Sequence, residues 1–228
     1  MKKLNILFAL LLPLSLFGQQ KVEIGGFLGF ANYQGDLSRD DIEISETKLS
    51  LGGFVRYHLT DKVKLRANGF LGFISGSDAN DQKGSLRERG WSFKSNIFEL
   101  SMVGEYHPLG KKRIGDTGIF ERQVSPYIFV GAGMVQTSPA VTVTKMEDEN
   151  LFPEQGFEST ALSIPFGLGV RADLFDFVSL GFEAGWRTTS NDYLDGVKQN
   201  GNPNKKDLYM FVGTTLSFFF GTIEGYEF

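Results

Sequence analysis

The sequence contains no cysteine, and this absence excludes several classes of protein at once. Among 228 residues there is no Cys, and there are only two His. Disulfides, thiolate metal sites and a lipid-modified cysteine anchor are therefore excluded, so burial and hydrogen bonds must hold an exported chain together. The formal net charge is -4, and no basic stripe of the kind that a nucleic-acid binder needs is present. We expect no metal and no cofactor.

Long apolar runs are missing except at the N-terminus. Residues 4–16 are almost continuously apolar, follow Lys2 and Lys3, and precede Gly18, a small residue at a plausible cleavage position. This pattern predicts a signal peptide over residues 1–18, with export through the Sec pathway, because the run is too short to span a membrane as a helix. No later run of eighteen apolar residues exists, which excludes a helical inner-membrane protein. Residues 19–228 are predicted to form a single domain.

Alternation of apolar and polar residues fills the rest of the chain. Between Val178 and Thr188 the even positions are Val, Leu, Phe, Ala and Trp, whereas the odd positions are Ser, Gly, Glu, Gly and Arg. A period of two over about ten residues suits a strand that crosses a bilayer with lipid on one side and a polar lumen on the other. Eight such segments predict an all-β fold, an eight-stranded antiparallel up-and-down transmembrane β-barrel in the outer membrane.

The connections between the predicted strands alternate in length. Short turns are typical of the periplasmic side of an outer-membrane barrel and long loops of the outer side, and an even strand number returns both termini to the periplasm. One predicted periplasmic connection, 109–123, is nevertheless long and charged, so it is either a solvated turn or a docking surface. The predicted strands are 21–33, 48–59, 62–75, 95–108, 124–136, 161–175, 178–190 and 207–220.

The lumen-facing positions of this pattern carry a balanced set of charges. A barrel of eight strands is only wide enough for its own side chains to fill. Leaving one buried charge without its partner costs about 3 to 5 kcal/mol, so five basic and five acidic groups favour a paired interior plug over a diffusion pore. The set comprises Glu23, Arg56, Lys64, Arg66, Glu99, Glu105, Arg171, Asp173, Glu183 and Arg187.

Catalytic and cation-binding sites find little support in the pattern. A lipid-modifying enzyme would depend on His58 or His107, but neither has a Ser placed as a lipid-facing nucleophile. We therefore interpret His58 as a member of the interior network and His107 as a turn residue, and we predict no catalytic residue. An acidic loop set lacks the spacing of a standard calcium loop and is expected to be solvated. That set is Asp78, Asp81, Glu147, Asp148 and Glu149.

Three strings in the sequence go beyond a generic barrel pattern. The first is Asn32-Tyr33-Gln34-Gly35-Asp36-Leu37, the second is Asp192-Tyr193-Leu194-Asp195 with Val197 and then Asp207-Leu208-Tyr209, and the third is SPYIFVGAG over 125–133. Together they resemble the PorG family of outer-membrane barrels in the type IX secretion system, although that family usually carries Asp where Gly196 stands. The local alternative treats Tyr33, Trp186 and Tyr193 as interfacial girdle residues and the Gly-Asp pairs as turn formers.

The resemblance implies a non-enzymatic component of the secretion and gliding machinery. Its expected partners are outer-membrane lipids and a periplasmic ring built by a lipoprotein and its soluble partner, with no nucleic acid and no small-molecule substrate. Sidedness places the ring contact on the long turn and the tail, at Lys111, Lys112, Arg113, Ile119, Phe120, Tyr226 and Phe228. The alternatives are a generic small barrel of the porin or adhesin kind and a lipid-modifying barrel enzyme.

Overall fold

The described part of the chain consists of ten segments, some of them single residues. The computed structural model describes residues 22–34, 46–80, 90–115, 119–145, 148, 151, 158–190, 194, 196–197 and 208–220. The predicted signal peptide and the tail 221–228 lie outside them. Within these ranges, no helix has the length and apolarity needed to cross a bilayer.

Eight antiparallel strands close into a barrel in chain order. The closing pair, β1 with β8, runs from Val22 opposite Phe220 to Gln34 opposite Leu208. The predicted eight-stranded antiparallel up-and-down barrel is confirmed. The strands are β1 Val22–Gln34, β2 Lys48–His58, β3 Val63–Ser77, β4 Ser92–Tyr106, β5 Val124–Thr142, β6 Thr160–Asp173, β7 Val178–Thr189 and β8 Leu208–Phe220.

The largest shortfalls of the predicted strands are those of β4 and β5, at the end where the long loops lie. The ladder between β4 and β5 continues to Ser92 opposite Thr142, whereas the prediction began β4 at 95 and ended β5 at 136. Phe93, Ser95 and Thr137 still alternate inward there, but small polar residues hide the apolar half of the pattern. At the opposite end β6 stops at Asp173 rather than 175, because the amide of Leu174 already donates to Val178 across a tight turn.

The outer surface of the barrel is apolar along every strand. Outward-facing side chains such as Leu28, Leu100, Ile128 and Phe182 are about half exposed or more. A continuous exposed apolar belt on a closed sheet is suited to hydrocarbon, since no aqueous protein leaves so large a surface unpaired. The belt places the barrel in a membrane.

The two ends of the barrel differ in their connections. We name the turn end for the connections 59–62, 107–123 and 174–177, which lie beside the start of β1 and the end of β8. The loop end carries the other connections. In outer-membrane barrels the short turns face the periplasm, so the turn end is expected to be periplasmic.

The interior is divided along the barrel axis into an apolar half and a charged half, a division that was not among the predictions from the sequence. The half toward the loop end is filled by a cluster of buried apolar and aromatic side chains, among them Phe27, Phe70, Phe93 and Phe211. Phe27 meets Phe70 edge to face with ring centroids 5.1 Å apart. Most of the interior charge lies in the other half, toward the turn end.

Candidate functional site

All the charged residues predicted to face the lumen are buried inside the barrel. None of their residues exposes more than 6% of its surface, the value for Lys64. Alternation along each strand brings them inward, and the closed sheet brings side chains from different strands into contact. These residues are Glu23, Arg56, Lys64, Arg66, Glu99, Glu105, Arg171, Asp173, Glu183 and Arg187.

A continuous chain of ion pairs crosses the barrel near the turn end. Arg56 lies between Glu23, with Nη1 2.5 Å from Oε1, and Glu105, with Nε 2.8 Å from Oε2. Arg66 lies between the same Glu105, with Nε 2.9 Å from Oε1, and Glu183, with Nη1 2.7 Å from Oε2. Each arginine thus bridges two carboxylates, which offsets the cost of taking all five groups out of water.

Two further arginines add three ion pairs to the interior. Arg171 Nη2 lies 3.0 Å from both Glu23 Oε2 and Asp173 Oδ1. Arg187 contacts Glu99 at 3.3 Å and lies over the ring of Phe211, 4.6 Å from its centroid. The Glu99 carboxylate also accepts hydrogen bonds from Tyr209 at 2.6 Å and from Ser101 at 2.8 Å. The carboxylate of Glu99 thus has hydrogen-bond and ion-pair partners although it lies among the aromatic rings of the apolar half.

Lys64 is the exception in this network. Among the described residues, no ion pair or hydrogen bond is formed by its ammonium group, although the residue is buried. A buried cation without a directed partner carries a desolvation cost that is only partly offset by carboxylates such as Glu105, its register partner on β4.

The two histidines both contact the network. His58 Nε2 lies 2.9 Å from Glu23 Oε2. His107, predicted to be a turn residue, is instead fully buried, because it follows β4 into the barrel mouth with Nε2 3.0 Å from Glu105 and Nδ1 3.1 Å from Ser125. Burial lowers the pKa of His107 to about 4. A neutral imidazole fits both contacts, since Nε2 donates to the carboxylate while Nδ1 accepts from the hydroxyl.

Ser125, His107 and Glu105 together have the residue types of a hydrolytic triad. Ser125 faces the interior and is 4% exposed, and Glu105 is already paired with two arginines. The serine therefore does not face lipid, and the contact completes the interior network.

The long connection 107–123 folds across the turn end, and Arg113 fastens it there. The Arg113 Nε donates to the main-chain oxygen of Asp176 at 2.6 Å, and its Nη2 donates to that of Phe175 at 2.8 Å. Its Nη1 lies 3.3 Å from Asp173. Burial lowers the pKa of Arg113, while Asp173 opposes that shift. Guanidinium stays protonated in proteins, so a charged strap joins this connection to the turn between β6 and β7.

The structure places the predicted ring-contact residues in different settings. The guanidinium of Arg113 is engaged within the barrel mouth and is not presented outward. Lys111 and Lys112 are exposed, and Ile119 is 65% exposed. Phe120 is half-buried, with its ring centroid 5.8 Å from Arg113 Cζ. Tyr226 and Phe228 lie outside the described residues.

The residues of the resemblance motifs meet at the loop end. Tyr33, Leu194, Val197 and Tyr209 all belong to the buried apolar cluster, although the first is more than 160 residues from the second in sequence. Tyr33 is therefore not an interfacial girdle residue; it packs edge to face on Phe93, with centroids 4.9 Å apart. Asn32 is buried too. Gly35, Asp36, Leu37, Asp192, Tyr193 and Asp195 lie outside the described residues.

Gly196 has a conformational reason to be glycine. Its φ is 80°, and a Cβ at this position would lie 3.1 Å from Val141 and 3.2 Å from Pro139. Residues with side chains rarely adopt this region of φ. A side chain here would be strained and would have to share this space, which explains a glycine at this position.

One acidic residue of the loop end is not solvated as predicted. Asp78 is fully buried because its Oδ2 accepts the amide of Trp91 at 3.0 Å, and the Trp91 indole donates to Asp148 at 2.9 Å. Across the described part of the chain, no three or more His, Asp or Glu side chains are grouped so as to hold a metal ion. Asp81, Glu147 and Glu149 lie outside it.

Comparison with known proteins identifies a family and a fold. A family profile described as "Domain of unknown function (DUF6089)" matches residues 1–227. No curated protein matches the chain. The Neisserial surface protein A structure has 10% identity and a TM-score of 0.51, covering 87% of this chain and 97% of that one.

Two other solved barrels are similar at lower scores. The Ail protein of Yersinia pestis has 10% identity and a TM-score of 0.42, with 88% of this chain and 99% of that one covered. OprG from Pseudomonas aeruginosa has 11% identity and a TM-score of 0.42, with coverage of 90% and 99%. Because the family profile spans nearly the whole sequence, this chain belongs to the DUF6089 family, with the fold of a small outer-membrane β-barrel.

Proposed function

We propose that this barrel is an outer-membrane component of the type IX secretion machinery that tethers the periplasmic lipoprotein ring to the membrane. The resemblance of its sequence strings to the PorG family supports this function. In the same proposal, residues 1–18 direct Sec export, and the mature barrel acts as a membrane-fixed anchor without enzymatic activity.

The observation that carries the proposal is an apolar side chain held outward at the turn end. Residues 113–115 and 119–120 form a small arm in which Ile114 pairs with Phe120 and the amide of Gly115 donates to the main-chain oxygen of Ile119 at 3.1 Å. Arg113 fastens the arm to the barrel, yet Ile119 remains 65% exposed. An exposed apolar residue whose main chain is hydrogen-bonded to a fastened segment is suited to anchor a protein contact.

The positive charge beside the arm suits long-range attraction of a ring component. Lys111 and Lys112 are exposed next to it, and charges at the rim of an interface raise association rates more than affinity. We place the second contact on Tyr226 and Phe228 in the tail.

The filled interior supports a tether over a porin. The ion-pair chain and the aromatic cluster occupy the two halves of the lumen, and an eight-stranded barrel has little further room. The generic small-barrel alternative would place function in the outer loops.

The test is replacement of the exposed Ile119 and the half-buried Phe120 by Ile119→Ser/Phe120→Ser in the full chain, with Arg113 kept so that its hydrogen bonds to Phe175 and Asp176 remain. Asp61→Ser, an exposed change in another turn of the same end, is the matched control. We expect the double variant to lose co-purification of the ring lipoprotein and its soluble partner and to reduce secretion, while the control keeps both. Unchanged co-purification and secretion in the double variant would refute the proposed contact.

A further inference from the structure

A cleft of about 460 Å³ lies on the outer side of the turn end, beside the long connection. Its walls come from the β2–β3 turn and from both legs of the 107–123 connection. They include four basic residues and two apolar ones, Lys62, Lys111, Lys112, Arg122, Leu109 and Val124.

Three of the four basic residues of this cleft lack an ion pair with the described part of the barrel. Among the described residues, no ion pair engages Lys62, Lys111 or Arg122, and the single acidic residue of the lining is Glu121. The chain as a whole carries a net charge of -4. The positive charge of the cleft is therefore a local excess, which favours an anionic ligand.

The cleft also adjoins the edge of the lipid-facing belt. At the turn end, the outward-facing residues that terminate β3 and β4 are Val63 and Tyr106, which are 39% and 48% exposed. Val63 directly follows Lys62 of the cleft. Leu109 and Val124, at 60% and 63%, carry the apolar surface into the cleft. Basic and apolar side chains therefore line the same cleft, at the level where the strands end.

We propose that this cleft binds the phosphate of an anionic phospholipid from the leaflet at the turn end. Lys62, Lys111 and Arg122 would contact the phosphate, and an acyl chain would run from Val124 onto the outer belt. Basic pockets at the membrane surface bind lipid headgroups in this way, with long basic side chains reaching the interface. The apolar walls favour a lipid over an acidic protein segment, which would need no hydrocarbon beside the cations. This inference does not rest on the proposed function.

The test counts lipids bound to the purified full-length barrel in detergent by native mass spectrometry, with phosphatidylglycerol as probe and phosphatidylcholine as the neutral comparison. The cleft variant is Lys62→Gln/Lys111→Gln/Arg122→Gln. The control, Lys48→Gln/Lys94→Gln/Lys145→Gln, removes the same charge from exposed lysines toward the loop end. Each basic residue near an anionic headgroup contributes about fivefold to binding. We therefore expect the cleft variant to lower phosphatidylglycerol affinity at least about tenfold, and the control to leave it unchanged.

Measurements on the unsubstituted barrel test the site independently of how well a variant folds. On the unsubstituted barrel, added salt should weaken phosphatidylglycerol binding but not phosphatidylcholine binding, and excess glycerol phosphate, which lacks acyl chains, should not displace the lipid. Equal affinity for the two lipids, equal losses in the two variants, or displacement by glycerol phosphate would each overturn the proposal. An acidic peptide that competes with the lipid more strongly than glycerol phosphate does would reassign the cleft to a protein partner.

Discussion

Arg66 and Glu183 join opposite walls of the barrel. Arg66 Nη1 lies 2.7 Å from Glu183 Oε2, although one residue is on β3 and the other on β7, four strands away in either direction around the sheet. Tyr127 donates to the same Glu183 oxygen at 2.8 Å. This contact spans the width of the lumen, so the interior charges brace the sheet as well as fill it.

Replacement of Arg66 tests this brace. Arg66→Met leaves Glu105 and Glu183 each short of one cation, and we expect the free energy of unfolding to fall by about 3 to 5 kcal/mol. Equilibrium urea unfolding of the barrel in lipid vesicles measures it. Adding Glu183→Leu to Arg66→Met should recover part of the loss, because the unpaired carboxylate is removed.

Lys64→Met supplies the matched control in the same strand. Its ammonium makes no ion pair or hydrogen bond with the described residues, so we expect a change within about 1 kcal/mol, or a gain, since a buried cation is removed. A loss as large as that of Arg66→Met would show that any interior charge stabilises the barrel, whatever its partners.

The strap formed by Arg113 predicts a local effect. Arg113→Gln removes the hydrogen bonds to Phe175 and Asp176 and the contact with Asp173, so the connection 107–123 should open more often. Tryptic cleavage after Lys111 and Lys112 should become about tenfold faster, given that hydrogen bonds to a charged group contribute about 1.5 to 3 kcal/mol. Arg122→Gln, which also removes one tryptic site from this connection, should digest like the parent. Equal rates for the two variants would contradict the strap.

His107 predicts a pH dependence of stability. Its pKa is lowered from 6.5 to about 4 in the folded barrel, so between these values the unfolded chain takes up a proton that the folded barrel does not. Stability from this group is therefore complete above about pH 6.5 and is lost as the pH falls toward 4, by about 3 kcal/mol in total. Unfolding at a series of pH values, compared with His107→Gln, isolates the contribution. A His107 ring that NMR finds protonated at pH 6 would contradict this assignment.

The filled lumen predicts that the barrel does not conduct ions. Purified barrel in a planar bilayer should give no steady current, because the ion-pair chain and the aromatic cluster leave no continuous aqueous path through an eight-stranded barrel. Reproducible, long-lived conductance steps would contradict the plugged interior.

The prediction from the sequence identified the interior charges but did not list their apolar neighbours. A Glu or Arg that alternates with lipid-facing residues along a strand must face the lumen. The inward direction of positions such as Glu99 and Arg187 is therefore unambiguous in a period of two. A phenylalanine suits either face, since a narrow lumen is also filled with side chains. Residue type alone therefore gives no direction for Phe27 or Phe211, and only their even spacing from inward polar residues of the same strand, Glu23 and Ser217, places them in the lumen.

Contacts made outside the strands were also beyond reach of the sequence pattern. Arg113 binds residues about sixty positions later in the chain, and only barrel closure brings these segments together. His107 shows the same limit, because its burial depends on where the chain turns after Tyr106 and not on any periodicity. The motif residues Tyr33 and Tyr209 are instead explained by closure, since they lie on β1 and β8 and face each other in register.

The side-chain partners of Glu23 make the ion-pair network dependent on closure of the barrel. This carboxylate belongs to the first strand, yet its partners come from β2, β6 and β8, namely Arg56, Arg171 and the hydroxyl of Ser217. Such a site is complete only when the last strand joins the first. An insertion intermediate with an open seam would carry an ionised carboxylate short of partners beside hydrocarbon, so the pairing of β8 with β1 removes a penalty that every earlier stage must bear.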